Sequence, residues 1–171
     1  MNAFIDYNKN FKNISETLFH LKKMNIKSDV VSMDDSNKNN NDFLYGDIIA
    51  IMNAQREKKS IFISSPIENV FTINQISQIQ CFSLSDKKSS DFISSFENLE
   101  QRAKVSKLFD SKKIFDCSIV CGDEYFWEKV FRIHARWLKS RFVTKKEFYH
   151  DLLINFCISL YDYKVSLIKG D

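Results

Sequence analysis

GDEYFWEKVFRIHARWLKSRFVTKKEFYHDLLINFCISLYDY, residues 122–163, decides the predicted fold because it describes two amphipathic helices joined by a short basic connection. Asp123 is placed to cap the first helix, and Thr144 and Glu147 have the spacing of a capping box at the start of the second. Apolar residues recur every three or four positions in both helices. They are Phe126, Val130, Ile133, Trp137 and Leu138 in the first, and Phe148, Leu152, Leu153, Phe156 and Leu160 in the second. The short connection predicts an antiparallel hairpin.

The segments before this hairpin predict a small sheet and further helices. Runs of β-forming residues predict strands over 60–64, 70–84 and 114–120, and a further short strand is open at 29–33. The segment 70–84 can also be two strands with an Asn-Gln turn between them. Helical spacing predicts helices over 11–24, 43–57 and 92–108, although 48–52 alone also fits a strand. Phe4 can extend the apolar stripe of the first of these helices. The tail after Asp162 either frays or ends as a short strand.

These elements predict an α+β fold in which a small mixed or antiparallel sheet is packed by several helices and the chain ends in the helical hairpin. An all-α fold is the alternative, because three glycines and one proline provide few turns. We expect one domain over residues 1–171, since 44% apolar residues can build a core. The asparagine-rich run over 34–42 predicts a mobile polar loop.

Composition places few limits on location. The chain has no apolar run long enough for a membrane span, and its first residues do not resemble a signal peptide. We therefore expect a cytoplasmic protein, with export without a cleaved signal peptide left open. The bias towards Lys, Asn and Ile is typical of an AT-rich microbial genome. The sequence leaves the oligomeric state open.

Catalytic, cofactor and metal motifs are missing from the sequence. It contains no nucleophile elbow, zinc-protease motif, phosphate-binding glycine loop or dinucleotide fingerprint. Cys117 and Cys121 are spaced as weak zinc ligands, but their apolar surroundings favour a strand with buried free thiols. We expect a non-catalytic protein without a cofactor. An enzyme that uses His20, His134 or His150 with distant partners remains a third possibility.

The charge distribution singles out the hairpin as a candidate partner-binding surface. From Asp123 to Phe148, seven basic and four acidic side chains give a local charge of +3, which equals the net charge of the whole chain. The basic residues form the candidate site, and the first four lie three or four positions apart on one helix. They are Lys129, Arg132, Arg136, Lys139, Arg141, Lys145 and Lys146.

Three interpretations of this basic segment compete. The simplest is a solvated helix face whose charges suit the helix dipole. The second is a face that binds an acidic protein partner with arginine and aromatic anchors, as in an adaptor, chaperone, inhibitor or immunity-type protein. The third is a regulatory protein that uses the same helix to contact nucleic acid phosphates. We prefer the protein partner among the functional interpretations, because the helix lacks the short polar side chains that read base edges.

Overall fold

A computed structural model of the chain describes residues 1–7, 11, 13–32, 57–94, 96, 98–140 and 149–169. Its six strands form one sheet in the order β2-β1-β3-β5-β4-β6. The strands are β1 (Asn2–Tyr7), β2 (Lys27–Ser32), β3 (Lys59–Ile63), β4 (Ile79–Leu84), β5 (Phe115–Asp123) and β6 (Val165–Leu167). Strand β5 is antiparallel to both of its neighbours, and every other pairing is parallel. The predicted α+β fold with a mixed sheet is therefore confirmed.

Five helices lie within the described residues. They are α1 (Ile14–Lys23), α2 (Ser89–Ile93), α3 (Leu99–Phe109), α4 (Glu124–Ser140) and α5 (Tyr149–Leu160). Local capping explains several of their boundaries. The side chain of Asn13 accepts a hydrogen bond from Ser15 N, that of Asn98 accepts from Glu100 N, and that of Asp123 accepts from Phe126 N. The predicted cap at Asp123 is confirmed.

The sheet separates two apolar cores because side chains alternate between its faces. One core contains Phe4 and Phe62 of the sheet together with buried residues of α2, α3, α4 and α5. The other contains Ile5 and Ile63 with α1 and residues of the loop that follows β3. Among the described residues, four helices therefore cover one face, whereas one helix and an irregular loop cover the other.

The predicted helical hairpin corresponds to α4 and α5, and ring contacts show that the two helices run antiparallel. Trp137, near the end of α4, lies with its ring centroid 6.0 Å from that of Tyr149 at the start of α5. Phe126, near the start of α4, lies 5.7 Å from Tyr163, which follows α5. The imidazole Nδ1 of His134 is also 2.6 Å from the Tyr149 hydroxyl. The connection itself lies outside the described residues.

Several sequence predictions need correction. Residues 2–7 form β1, so the assignment of Phe4 to a helical stripe was wrong. The single helix predicted over 92–108 is two helices, and the strand predicted over 70–84 begins only at Ile79. The open strand at 29–33 corresponds to β2, and the tail ends in β6. The mobile loop predicted at 34–42 and nearly all of the helix predicted at 43–57 lie outside the described residues.

Candidate functional site

The first candidate site is the solvent-facing side of α4, which we call the α4 face. One side of this helix is buried through Phe126, Val130 and Trp137. The residues on the opposite side are three, four or seven positions apart, so they lie within about a quarter of the helix circumference. They are Tyr125, Glu128, Lys129, Arg132, Arg136 and Lys139. Four of the seven predicted site residues are thus brought together, whereas Arg141, Lys145 and Lys146 lie outside the described residues.

Lys129 contacts two tyrosines that sequence spacing could not connect to it. Its ammonium nitrogen lies 4.2 Å from the ring centroid of Tyr161 and 5.1 Å from that of Tyr163, within cation–π range. The interaction with the Tyr163 side chain raises the pKa of Lys129. Tyr161 is nevertheless 44% exposed, and Tyr125 is 63% exposed. The basic row therefore has exposed aromatic rings beside it.

Arg132 is a solvent-exposed arginine of this face. Its side chain is 73% exposed, and Nη2 donates to Glu128 Oε1 at 2.6 Å. Exposed pairs of this spacing contribute only about 0.3 to 0.5 kcal/mol to stability. A guanidinium has five N–H donors, so this contact leaves most of them for other acceptors. Arg132 can therefore bind a partner's carboxylate at little cost in stability.

No protein-family model matches the sequence, and no curated protein is significantly similar to it.

The second candidate site is a crevice of about 1100 Å³ at the edge of the sheet where β3, β4 and β6 end. Ser64 and the residues that follow it form one wall, and the first described turn of α5 forms the other. Strand β5 runs the opposite way, so its first residues lie at the same edge, where Ser64 N donates to Ser118 O at 2.8 Å. This crevice could not be predicted from the sequence, because its walls come from a loop and a helix that lie far apart along the chain.

His150 stands at one wall of this crevice with a defined tautomer. Its Nε2 is 2.7 Å from the backbone carbonyl of Cys117, which can only accept, so Nε2 carries the proton. The imidazole also packs on Phe62, with a centroid distance of 4.2 Å. Burial lowers the pKa of His150 despite the opposing effect of nearby carboxylates, chiefly Asp151. The imidazole is therefore neutral at neutral pH.

We expect this lowered pKa to make stability depend on pH. The ordinary pKa of histidine is 6.5, so below this pH an unfolded chain binds a proton at His150. The native protein takes up this proton only at a lower pH. The contribution of His150 to the free energy of unfolding is thus fully present above pH 6.5 and decreases as the pH falls. Wild type should lose more stability than His150→Gln between about pH 7.5 and about pH 5.5. Urea titrations at both pH values measure this, and equal losses would contradict it.

The remaining histidines lie on two different helices, and the cysteines are buried. His20 lies on α1 with Nε2 3.9 Å from Glu16, on the opposite face of the sheet from the buried His134. All four cysteines are buried free thiols, as expected. Burial raises the pKa of Cys121 to about 11 and that of Cys157 to about 12, so both stay protonated and are poor nucleophiles.

The spacing of Cys117 and Cys121 does not produce a shared metal site. Cys117 packs into the core beneath α4 and α5, whereas Cys121 packs into the core beside α1. In a regular strand, residues four apart face the same side, but the register of β5 against β4 shifts between them. Among the described residues, no group of three or more His, Cys, Asp or Glu side chains could hold a metal ion.

A helix that crosses a bilayer must be both long and apolar. Within the described ranges, no helix combines the length and apolar character that a membrane crossing requires.

Proposed function

We propose that the protein is a non-catalytic intracellular interaction module that binds one acidic protein partner through the α4 face. Adaptors, chaperones, inhibitors and immunity-type proteins all act by binding another protein. The observation that supports the proposal is the row of basic side chains on α4 beside two exposed tyrosines. Arginine and tyrosine are enriched among the residues that dominate binding energy at protein interfaces.

The charges of the α4 face favour an acidic partner. Four of its six residues are basic and one is acidic, so its formal charge is +3. Arg132 and Arg136 lie one helical turn apart and can each contact a carboxylate on a facing surface. Complementary charge of this kind increases the rate of association and selects the partner.

The tyrosines beside this row provide the apolar contact area that binding also needs. Tyr125 lies on α4 one turn before Lys129, while Tyr161 reaches the same surface from the end of α5. Both rings combine a rigid apolar surface with a hydroxyl that can donate or accept. The stacked Lys129 contact orders Tyr161, which lowers the entropy lost when a partner binds.

A protein partner suits this surface better than nucleic acid. None of the six residues that form the α4 face is an asparagine, glutamine or serine, the side chains that commonly read base edges. The two large tryptophans of the helix are buried and are not available to stack on bases.

We expect the double variant Arg132→Glu/Arg136→Glu to bind the partner about a hundredfold or more weakly. The partner is first isolated by affinity capture with the tagged wild-type protein from nuclease-treated extract and purified for calorimetry. The variant should unfold within about 1 kcal/mol of wild type, because these side chains are exposed. Replacing an acidic residue of the partner by lysine should restore binding to the variant.

The matched control is Lys22→Glu/Lys27→Glu, which changes the charge equally at exposed positions of α1 and β2. It should bind like wild type. If the α4 double variant bound the partner as tightly as wild type does, the proposed surface would be refuted. Capture that disappears after nuclease treatment, with affinity falling steeply as salt rises, would assign the α4 face to nucleic acid instead.

A further inference from the structure

The crevice at the sheet edge has the position and the size of a small-molecule site. Sheets with parallel strands bind ligands outside the carboxyl ends of those strands, and this crevice lies where β3, β4 and β6 end. Its volume of about 1100 Å³ is slightly larger than the roughly 300 to 1,000 Å³ of most ligand pockets. None of the α4 face residues lines it, so it is a surface separate from the proposed protein interface.

A bulge in β5 places polar groups at the floor of the crevice. Cys81 is paired with Val120, and Ser83 is paired with Asp116. Two steps along β4 thus correspond to four steps along β5, so β5 has extra residues in this interval. Bulges redirect side chains and are frequent next to functional sites. Within the bulge, Ser118 N donates to Asp116 Oδ1 at 2.9 Å. This contact orients the Asp116 carboxylate, which has two oxygens and retains further acceptor capacity.

The charges that line the crevice argue against an anionic ligand. Its three carboxylates belong to Glu68, Asp116 and Asp151, and its two ammonium groups belong to Lys87 and Lys169. Lys87 forms an ion pair with Asp151, and Lys169 lies over the Phe82 ring at 5.9 Å. Phosphate binding requires an excess of positive charge or a cluster of donors, whereas carboxylates and serine hydroxyls accept hydrogen bonds from ligand hydroxyl groups.

Aromatic side chains add a flat apolar component to the same crevice. Phe71 and Phe82 contribute rings from the side of α1, and Tyr149 contributes one from α5. Rings of this kind stack on the planar base of a nucleoside. The lining thus combines acceptors for hydroxyl groups with surfaces for an aromatic ring.

We propose that this crevice binds an uncharged nucleoside, with the sugar hydroxyls donating to Asp116 and the base stacked on the aromatic wall. Asp116→Asn tests this directly, because the amide keeps an oxygen for Ser118 N and loses only the charge and one acceptor. Adenosine, cytidine, guanosine and uridine serve as probes for calorimetric titration of the full chain. At least one should bind saturably, and Asp116→Asn should bind it about tenfold or more weakly.

The control variant is Asp110→Asn, an exposed aspartate at the end of α3 that does not line the crevice. It should bind the nucleoside like wild type, and chemical shift changes in wild type should map to residues 64–72 and 116–118. Ribose should bind more weakly than the nucleoside, and the 5′-monophosphate should also bind more weakly. The proposal is overturned if no nucleoside binds below about 10 mM, if Asp116→Asn binds normally, or if the monophosphate or ribose binds more tightly.

Discussion

Trp127→Ala is expected to lower the free energy of unfolding by about 3 to 5 kcal/mol, because it removes a large side chain from the centre of the main core. Trp127 is only 2% exposed and packs edge-on against Phe126 with a centroid distance of 5.0 Å. Its indole N–H also donates to the Ser60 carbonyl in β3 at 3.1 Å, which ties α4 to the sheet. Urea denaturation followed by circular dichroism measures the change.

Trp127→Phe separates the hydrogen bond of this residue from its volume. The phenyl ring keeps much of the packing but leaves the buried Ser60 carbonyl without its donor, so we expect a loss of about 1 to 3 kcal/mol. A loss of less than about 1 kcal/mol for Trp127→Ala would show that Trp127 does not hold α4 against β3.

Asn155→Leu is expected to cost about 2 to 4 kcal/mol, although leucine has a similar size and is apolar. Asn155 is 1% exposed and joins α5 to β5 through its amide. Its Oδ1 accepts from Phe115 N at 2.8 Å, and its Nδ2 donates to Phe115 O at 3.0 Å and to Asp151 O at 2.9 Å. Leucine would leave Phe115 N and Phe115 O without these bonds at the point where β5 begins.

The matched control for this change is Gln101→Leu, which replaces a partly exposed amide on α3. We expect an effect within about 0.5 kcal/mol. If Asn155→Leu were as stable as wild type in the same thermal and urea titrations, the amide would not hold β5 against α5. Amide hydrogen exchange at Phe115 provides a local measurement, since it should accelerate in the Asn155 variant.

The elements predicted correctly from sequence are those with local signals. Asp123 caps α4 with its own side chain, and the apolar spacing of α4 and α5 is continuous. The sequence around β3 and β5 contains concentrated β-forming residues. Strand β1 was missed because Ala3, Phe4 and Ile5 are buried on both faces and show no alternation. Strand β6 spans three residues, and its pairing with β4 was decided by tertiary contacts.

The same distinction explains what could be predicted of the candidate sites. Helical spacing alone places Arg132, Arg136 and Lys139 on one side of α4, so the basic row could be predicted from the sequence. The contact of Lys129 with Tyr161 depends on how α4 and α5 pack. The crevice depends on strand order, because Ser64 and Ser118 become neighbours only when β5 joins β3. The Ser-Ser-Pro run after β3 was a local signal for this edge.

The position of β5 also determines the order in which a newly synthesised chain can fold. Strands β1, β2 and β3 can pair as soon as they have been made, because they are neighbours in the sheet and precede the others. Strands β3 and β4 are separated by β5, which is translated after both of them. Until then, β4 has unpaired backbone groups on both sides and β3 on one, and open edges of this kind promote aggregation. Pairing of residues 115–123 therefore closes two of these three open strand sides, and β6 closes the third.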